Sequence, residues 1–252
     1  MGKVKLLSLI IPAYKQEKTI VRDIQNLNEI LSSLPYQYEI IVVEDGYLDG
    51  TGEKIQKIKN KHLRVYGYKE NCGKGFAIKY GVEKAKGDII GFIDAGMDID
   101  PSEISLMLDL MEWNKADVVV GSKLHPESKV NYPFWRKILS WGYQTLTHIL
   151  FGFRVKDTQV GLKIFRKKVA KQVFERIIIK RFAFDIEVLT VAYKLGYHRI
   201  YEAPIKLNFS GASSITSNNF WKTIFFMLWD TAAVFYRLKI LHYYDYYGRM
   251  RK

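Results

Sequence analysis

The feature that most constrains the fold is an alternation within the first 121 residues. Short apolar runs rich in β-branched residues alternate there with longer stretches of helical spacing. Such alternation is typical of βαβ units, which build a mostly parallel sheet. The predicted strands are 5–11, 38–43, 63–68, 88–94 and 117–121, and the predicted helices are 17–34, 51–61, 74–85 and 102–113. The sequence therefore predicts an α/β fold.

Polar loops follow four of the predicted elements, at 12–14, 44–46, 71–75 and 94–98. In open sheets of this kind, ligands bind beyond the carboxyl ends of the strands, so we expect these loops to meet at one edge. Each loop alone is compatible with ordinary turn chemistry, since Asp and Gly favour turns and helix caps. Turn chemistry alone does not require acidic residues after two strands, as at Glu44-Asp45 and at Asp94.

The chain lacks the glycine patterns of the common phosphate-binding loops. An enzyme can instead use carboxylates to hold a divalent cation against a substrate diphosphate. Mg²⁺ and Mn²⁺ prefer oxygen ligands of this kind. Asp94 and Asp98 are the candidate metal ligands.

Charge is distributed unevenly along the chain. The formal net charge is +13, yet residues 1–126 hold 17 Lys/Arg and 18 Asp/Glu, whereas residues 127–252 hold 22 and 8. A basic half of this kind attracts phosphates, either of nucleic acid or of anionic lipid. The lone Cys72 excludes an internal disulfide and favours a reducing compartment.

The segment 223–236 is nearly all apolar or aromatic and has basic residues at both ends. It is shorter than the roughly 20 apolar residues that span a bilayer. Two interpretations stay open, a helix packed on the core and a helix lying in the lipid interface. A basic segment could add to such a surface, namely Lys163, Arg166, Lys167, Lys168 and Lys171.

Several motifs stand out along the chain. They are Ile-Ile-Pro-Ala-Tyr at 10–14, Val-Val-Glu-Asp-Gly at 42–46, Asn-Cys-Gly-Lys-Gly at 71–75, Asp-Ala at 94–95, Gly-Ser-Lys at 121–123, Asp-Thr-Gln-Val-Gly-Leu-Lys at 157–163 and Phe-Ala-Phe-Asp-Ile-Glu at 182–187. Together they resemble family 2 glycosyltransferases, and within them the polyprenyl-phosphate sugar synthases of the dolichyl-phosphate mannose synthase or dolichyl-phosphate glucosyltransferase type. The resemblance implies a glycosyltransferase A-type fold and inverting transfer of glucose or mannose from a nucleoside-diphosphate sugar to a polyprenyl (dolichyl) phosphate.

The resemblance also implies roles for individual residues. The nucleotide sugar would be bound by Pro12, Ala13, Tyr14, Gln16, Val43, Asp45, Lys74, Asp94 and Ala95. The acceptor phosphate would meet Lys123, Arg136 and Ser140, and the catalytic set would be Asp94, Lys123, Arg136 and Asp157. Gly96 stands where the family has a second Asp, and Glu44 replaces the first Asp of an Asp-Asp pair.

Two further functions stay open at this stage. A hydroxyl-acceptor glycosyltransferase of polysaccharide or glycolipid assembly would need a general base, for which Asp157 or Asp185 are candidates beside their roles as a turn residue and a helix cap. The second open function is that of a degenerate, non-catalytic family member, which the replacement of the second Asp by Gly96 makes conceivable.

We expect a catalytic domain at 1–215, with a nucleotide-sugar half at 1–121 and an acceptor half at 122–215. A membrane-associating helix and tail follow at 216–252. The expected partners are the nucleotide sugar, the polyprenyl phosphate and an anionic membrane surface, and nucleic acid is not among them. The expected location is the cytoplasmic face of a membrane, as a peripheral or monotopic protein.

Overall fold

The computed structural model describes residues 5–130, 134–152, 155–180, 183–207 and 220–246. The strands are β1 Leu6–Ala13, β2 Gln37–Asp45, β3 Leu63–Tyr68, β4 Ile89–Ile93, β5 Val118–Ser122, β6 Lys129–Val130, β7 Leu162–Arg166, β8 Ile200–Pro204 and β9 Lys206–Leu207. The helices are α1 Ile20–Ser32, α2 Thr51–Gln56, α3 Lys74–Lys84, α4 Glu103–Trp113, α5 Phe134–Phe151, α6 Lys167–Arg176, α7 Phe184–Lys194, α8 Phe220–Lys239 and α9 Tyr243–Tyr246.

Across the described ranges, seven strands form one sheet in the order β3-β2-β1-β4-β7-β5-β8. Only β7 runs antiparallel to its neighbours there, so the predicted mostly parallel sheet is confirmed. All five predicted strands are present, with ends within two residues of those expected. The strands at the centre are buried on both faces, which is why they have continuous apolar runs.

The sheet separates two apolar layers. On one face, alternate residues of β1 and β2 such as Ile10 and Val43 pack with helices α3, α6, α7 and α8. On the other face, Leu9 and Val42 pack with α1 and α4. This alternation follows from the two-residue period of a strand, which sends successive side chains to opposite faces.

The antiparallel strand β7 is one of the elements after residue 121 that the sequence did not predict. Its start lies beside the end of β4, with Leu162 opposite Ile93. The segment 157–161 that leads into β7 therefore lies at the same edge as the carboxyl ends of the parallel strands. Lys163 belongs to this strand and is fully buried, so its assignment to a basic surface is wrong.

The helix ends also differ from the prediction. Helix α2 ends at Gln56 rather than at residue 61, because a turn at Asn60 leads into β3: the carbonyl of Asn60 accepts a hydrogen bond from the Leu63 N–H and its side chain one from the His62 N–H. Helix α1 begins at Ile20 rather than at residue 17. A turn precedes it, in which the carbonyl of Gln16 accepts hydrogen bonds from the N–H groups of Thr19 and Ile20.

Candidate active site

Asp94 lies directly after β4 at the carboxyl edge of the sheet. Its backbone N–H donates to the carbonyl of Gly161 at 3.1 Å. Its Oδ1 lies 2.5 Å from Nζ of Lys74, and its side chain is 43% exposed. The predicted donor-site residues Asp94 and Lys74 are therefore in contact, and the carboxylate remains open to solvent.

Gly161 lets the Asp94 carboxylate occupy this position. A Cβ atom built on Gly161 would lie 2.0 Å from Oδ2 of Asp94 and 2.3 Å from its Cγ. While the Asp94 carboxylate stays in this position, no Cβ fits at Gly161, because of a close approach and not because of backbone conformation. The sequence motif contained this glycine, but nothing local indicated what it approaches.

Lys74 begins α3, where Gly73 precedes it with φ of +94°. Its ammonium lies 5.5 Å from the centre of the Phe184 ring. Burial disfavours the charged ammonium, but the carboxylates of Asp94 and Asp185 outweigh burial and raise the pKa of Lys74. Lys74 thus supplies a permanent positive charge beside Asp94 at neutral pH.

Asp45 ends β2 and is almost completely buried. Its carboxylate accepts hydrogen bonds from Asn71 Nδ2 at 3.0 Å, Cys72 N at 2.7 Å and Gly73 N at 2.9 Å. Burial and the neighbouring Asp45 carboxylate also raise the pKa of Tyr68. The carboxylate therefore fixes the loop that presents Lys74.

Lys123 follows β5 and is tied to Asp157. The backbone N–H of Lys123 donates to Oδ2 of Asp157 at 2.8 Å, and its ammonium lies 3.8 Å from the same oxygen. Asp157 is fully buried, and its second oxygen accepts the Gln159 N–H at 3.2 Å. Glu202 accepts the N–H of Asp157 at 3.1 Å. This geometry favours a role for Asp157 in positioning Lys123 and disfavours a role as a general base in contact with substrate.

The loop after Asp94 explains why Gly96 stands at the position of a second carboxylate. Gly96 adopts φ of +86°, a left-handed conformation that favours glycine. Its N–H donates to Oδ2 of the buried Asp23 at 2.8 Å. Asp98 is half-buried on the same loop. The described residues contain no group of three or more His, Cys, Asp or Glu side chains that could hold a metal ion.

A metal therefore fits here only if the donor completes its coordination. Mg²⁺ in particular is commonly held by one or two carboxylates, waters and substrate phosphate oxygens. The exposed carboxylate of Asp94 meets that requirement. The Asp94 carboxylate must then bind the cation while it keeps its ion pair with Lys74, or that ion pair must break.

The other predicted residues lie in different environments. Tyr14 is 45% exposed, whereas Ala13 and Val43 are completely buried within the sheet. Pro12 and Ala95 are partly buried, and the backbone N–H of Gln16 donates to Thr51 Oγ1 at 2.9 Å. The side chains of Arg136 and Ser140 lie outside the described residues, although both belong to α5.

Sequence reasoning missed a buried ion pair behind Lys74. The ammonium of the buried Lys163 contacts Oδ1 of Asp185 and donates to the carbonyl of Val160 at 2.6 Å. Burial lowers the pKa of Lys163, and the Asp185 carboxylate acts against this. Asp185 is thus the partner of a buried lysine, and its side chain makes no cap at the start of α7.

Helix α8 packs on the core along one side only. Val234 and Thr231 are buried, and the Thr231 hydroxyl lies 2.7 Å from that of Tyr143 on α5. The opposite side is exposed, with Trp229 at 66% and Phe225 at 61%. Further exposed apolar residues are Phe226, Leu228 and Tyr236 on α8, Ile240 and Leu241 after it, and Trp141, Leu146 and Ile149 on α5. Among the described helices, none is long and apolar enough to cross a membrane.

A further cavity lies away from this sheet edge. It is a groove of about 790 Å³ at the amino ends of β2 and β3, lined in part by Lys54, Lys57 and Lys61. It contains none of the predicted site residues.

The mostly parallel sheet with its polar carboxyl edge is a fold of the glycosyltransferase A type. Mannosyl-3-phosphoglycerate synthase from Rubrobacter xylanophilus has the same fold, with a TM-score of 0.71 at 16% identity over 93% of this chain and 75% of that chain. Glucosyl-3-phosphoglycerate synthase from Mycobacterium tuberculosis, solved with Mn²⁺, UDP and phosphoglyceric acid, gives 0.67 at 17% identity over 92% and 78%.

Residues 8–174 match the profile of glycosyl transferase family 2, and the chain belongs to that family. Among curated relatives, the dolichyl-phosphate beta-glucosyltransferase of Dictyostelium discoideum is 31% identical over 75% of this chain and 63% of its own length. The human protein of that name is 31% identical over 86% and 71%. A dodecaprenyl-phosphate galacturonate synthase of Rhizobium johnstonii is 29% identical over 66% and 49%. The chain spans less than two thirds of the Dictyostelium relative.

Proposed function

We propose that the protein transfers a hexose from a nucleoside-diphosphate sugar to a polyprenyl phosphate such as dolichyl phosphate. The observation that carries the proposal is that two lysines lie at one edge of the sheet. Lys74 forms an ion pair with Asp94, and Lys123 forms one with Asp157. The segment 157–161 joins the two, since Asp94 contacts Gly161 and Lys123 contacts Asp157. Glucose is the favoured sugar, because the glucosyltransferase relatives cover most of this chain.

Two anionic substrates must meet in this reaction, and like charges repel. A phosphate oxygen of the acceptor attacks the anomeric carbon, the bond from that carbon to the donor diphosphate breaks, and the nucleoside diphosphate leaves with the electron pair. The phosphate monoester has a second pKa of about 6 and is already largely ionised at neutral pH, so no protein base is needed. The proposed role of Lys74 and Lys123 is electrostatic stabilisation and positioning.

A divalent cation, Mg²⁺ or Mn²⁺, completes the proposed donor site, with Asp94 and Asp98 as its protein ligands. When bound, it neutralises charge on the leaving diphosphate. The half-exposed carboxylate of Asp94 supports this assignment. Arg136 and Ser140 of α5 remain the proposed acceptor-phosphate residues beside Lys123, and Tyr14, Gln16 and the neighbouring backbone are proposed to bind the nucleotide.

A hydroxyl acceptor is less well supported, because it requires a general base with access to substrate. Asp157 is fully buried and already accepts two backbone hydrogen bonds. Asp185 is bound to Lys163. Neither carboxylate has the exposure that a base at an acceptor hydroxyl needs.

We further propose that the protein binds an anionic membrane through the exposed apolar side of α8 and the adjoining part of α5, at the cytoplasmic face. Exposed aromatic residues flanked by basic ones are typical of helices that lie in the lipid interface. Trp229, Phe225 and Trp141 supply the aromatic surface, and Lys222 lies on α8 beside them. The boundary between catalytic domain and membrane-associating segment is proposed near residue 215.

The direct test is transfer of radiolabelled sugar in vesicles that contain dolichyl phosphate. UDP-glucose and GDP-mannose are supplied separately, each with Mn²⁺ or with a chelator. We expect a chloroform-soluble labelled product from UDP-glucose that needs the lipid phosphate. Label that appears only on a water-soluble or hydroxyl acceptor would contradict the proposal.

A further inference from the structure

A fully buried carboxylate, Glu187 on α7, joins three separate parts of the chain. Its Oε2 accepts hydrogen bonds from the backbone N–H groups of Ile178 at 2.9 Å and Ile179 at 2.7 Å. Its Oε1 accepts from the Tyr244 hydroxyl at 2.5 Å and from the Arg237 guanidinium at 3.3 Å. A buried charge is tolerated only when paired and hydrogen-bonded in this way.

The donors on Oε1 come from the C-terminal helices. Arg237 belongs to α8 and Tyr244 to α9, and Nε of Arg237 also donates to the Tyr244 hydroxyl at 3.3 Å. The same α8 carries the exposed residues Phe225 and Trp229 on its other side. The position of α8 is therefore linked directly to the Glu187 carboxylate.

The donors on Oε2 belong to the segment 177–180, which contacts the loop that presents Lys74. The N–H of Gly75 donates to the carbonyl of Lys180 at 2.8 Å. A Cβ on Gly75 would lie 2.8 Å from the carbonyl oxygen of Ile179, so the two backbones are in close contact. Nζ of Lys79 donates to the carbonyl of Ile177 at 2.9 Å.

Both packing and hydrogen bonds hold this segment in place. Ile177 and Ile179 are buried in the core. A cavity of about 240 Å³ is lined by residues of α3, by residues 175–180 and by Tyr243 of α9. The Glu187 carboxylate receives the backbone hydrogen bonds of Ile178 and Ile179 and so fixes the segment beside this cavity. A chain of contacts leads from α8 through Glu187 and the segment 177–180 to Gly75, Lys74 and Asp94.

We propose that Glu187 is a positioning residue that couples the positions of α8 and α9 to the position of Lys74 at the donor site. When Arg237 and Tyr244 hold the carboxylate, the segment 177–180 aligns Gly75, and Lys74 is presented to the donor diphosphate. Donor affinity then depends on residues of the C-terminal helices that need not touch the donor. The assignment of Lys74 and Asp94 to a nucleotide-sugar site rests on the proposed function, whereas the coupling between the C-terminal helices and Lys74 does not.

Hydrogen exchange of the full chain, without substrate, tests the coupling. Arg237→Met and Tyr244→Phe each remove a donor to Glu187, and Tyr236→Phe on the half-exposed side of α8 is the matched control. We expect amides in 174–180 and in 71–80 to exchange faster by roughly tenfold in both variants, as when a charge-assisted hydrogen bond is lost. Unchanged exchange in 71–80 would overturn the coupling, even with faster exchange in 174–180.

Calorimetry with UDP and Mn²⁺ supplies a second readout. We expect Arg237→Met to weaken UDP binding and Arg237→Lys, which keeps the charge, to restore part of it, while Tyr236→Phe binds like the wild type. A lower Tm with an unchanged Kd for UDP would mean that the cluster is merely structural and would overturn the proposal. Because exchange is measured without substrate, a failure of the transfer assay leaves the exchange result intact, so the two proposals fail separately.

Discussion

Replacement of Gly161 by alanine is the sharpest perturbation that the site offers. The new Cβ would lie 2.0 Å from Oδ2 of Asp94, whereas ordinary contacts begin at 3.4 Å, so the carboxylate must move by about 1.4 Å. The backbone of Gly161 itself lies outside the left-handed region, so alanine brings no conformational strain of its own. The perturbation is therefore confined to the position of the Asp94 carboxylate.

A displacement of about 1 Å at a catalytic site can cost about 100-fold in rate, which corresponds to about 2.7 kcal/mol in transition-state stabilisation. We expect Gly161→Ala to lower kcat/KM for sugar transfer by that factor. Because the Asp94 side chain is half exposed, it can turn toward solvent, and we expect little change in Tm.

The assay compares kcat/KM for the nucleotide sugar with thermal unfolding of the same samples. Gly142→Ala is the matched control, because Gly142 lies on α5 with open space around it and a helical alanine is favourable there. If Gly161→Ala kept kcat/KM within about threefold of the wild type, the Asp94 carboxylate would not act where the structure holds it.

Three further predictions follow from other contacts. Trp229→Ala should weaken binding to phosphatidylserine-containing vesicles by about 2 kcal/mol in a flotation assay, the contribution of a buried aromatic side chain, whereas Trp113→Ala, exposed on α4, should not. Lys74→Met should tighten binding of Mn²⁺ alone by up to about fivefold and weaken binding of UDP, measured by calorimetry, because Asp94 loses a half-exposed partner. Burial raises the pKa of Glu44 above 4.5, so its ionisation costs stability above that pH; Glu44→Gln should raise Tm near neutral pH and leave it unchanged below 4.5.

The sequence predicted the first half of the sheet well because its signals there are local. Strands β1, β2, β4 and β5 are largely apolar runs followed by polar turn residues, and the parallel topology brings those turns to one edge. Asp94 and Lys74 were therefore both assigned to the donor site, and the structure brings them into contact. Their mutual pairing was not predicted, since nothing in the chain from 74 to 94 specifies it.

What the sequence could not predict depends on pairs of residues that are distant along the chain. The residue type of Lys163 predicts a surface position, and that of Asp185 predicts a helix cap. Both side chains are nevertheless buried, because each neutralises the charge of the other. The same holds for Glu187, whose partner Arg237 lies on another helix. Local patterns report which side chains are polar, whereas burial of a charge is decided by a partner that only the fold supplies.

These pairs also change how the excess positive charge of the second half is understood. Lys163 lies in the core, and Arg237 is paired with the buried carboxylate of Glu187. Lys171 donates to the carbonyls of Val82 and Glu83. Several charges of the basic half therefore serve internal contacts rather than a continuous basic face. Attraction to an anionic membrane should then depend more on the aromatic side of α8 than the charge count alone would suggest.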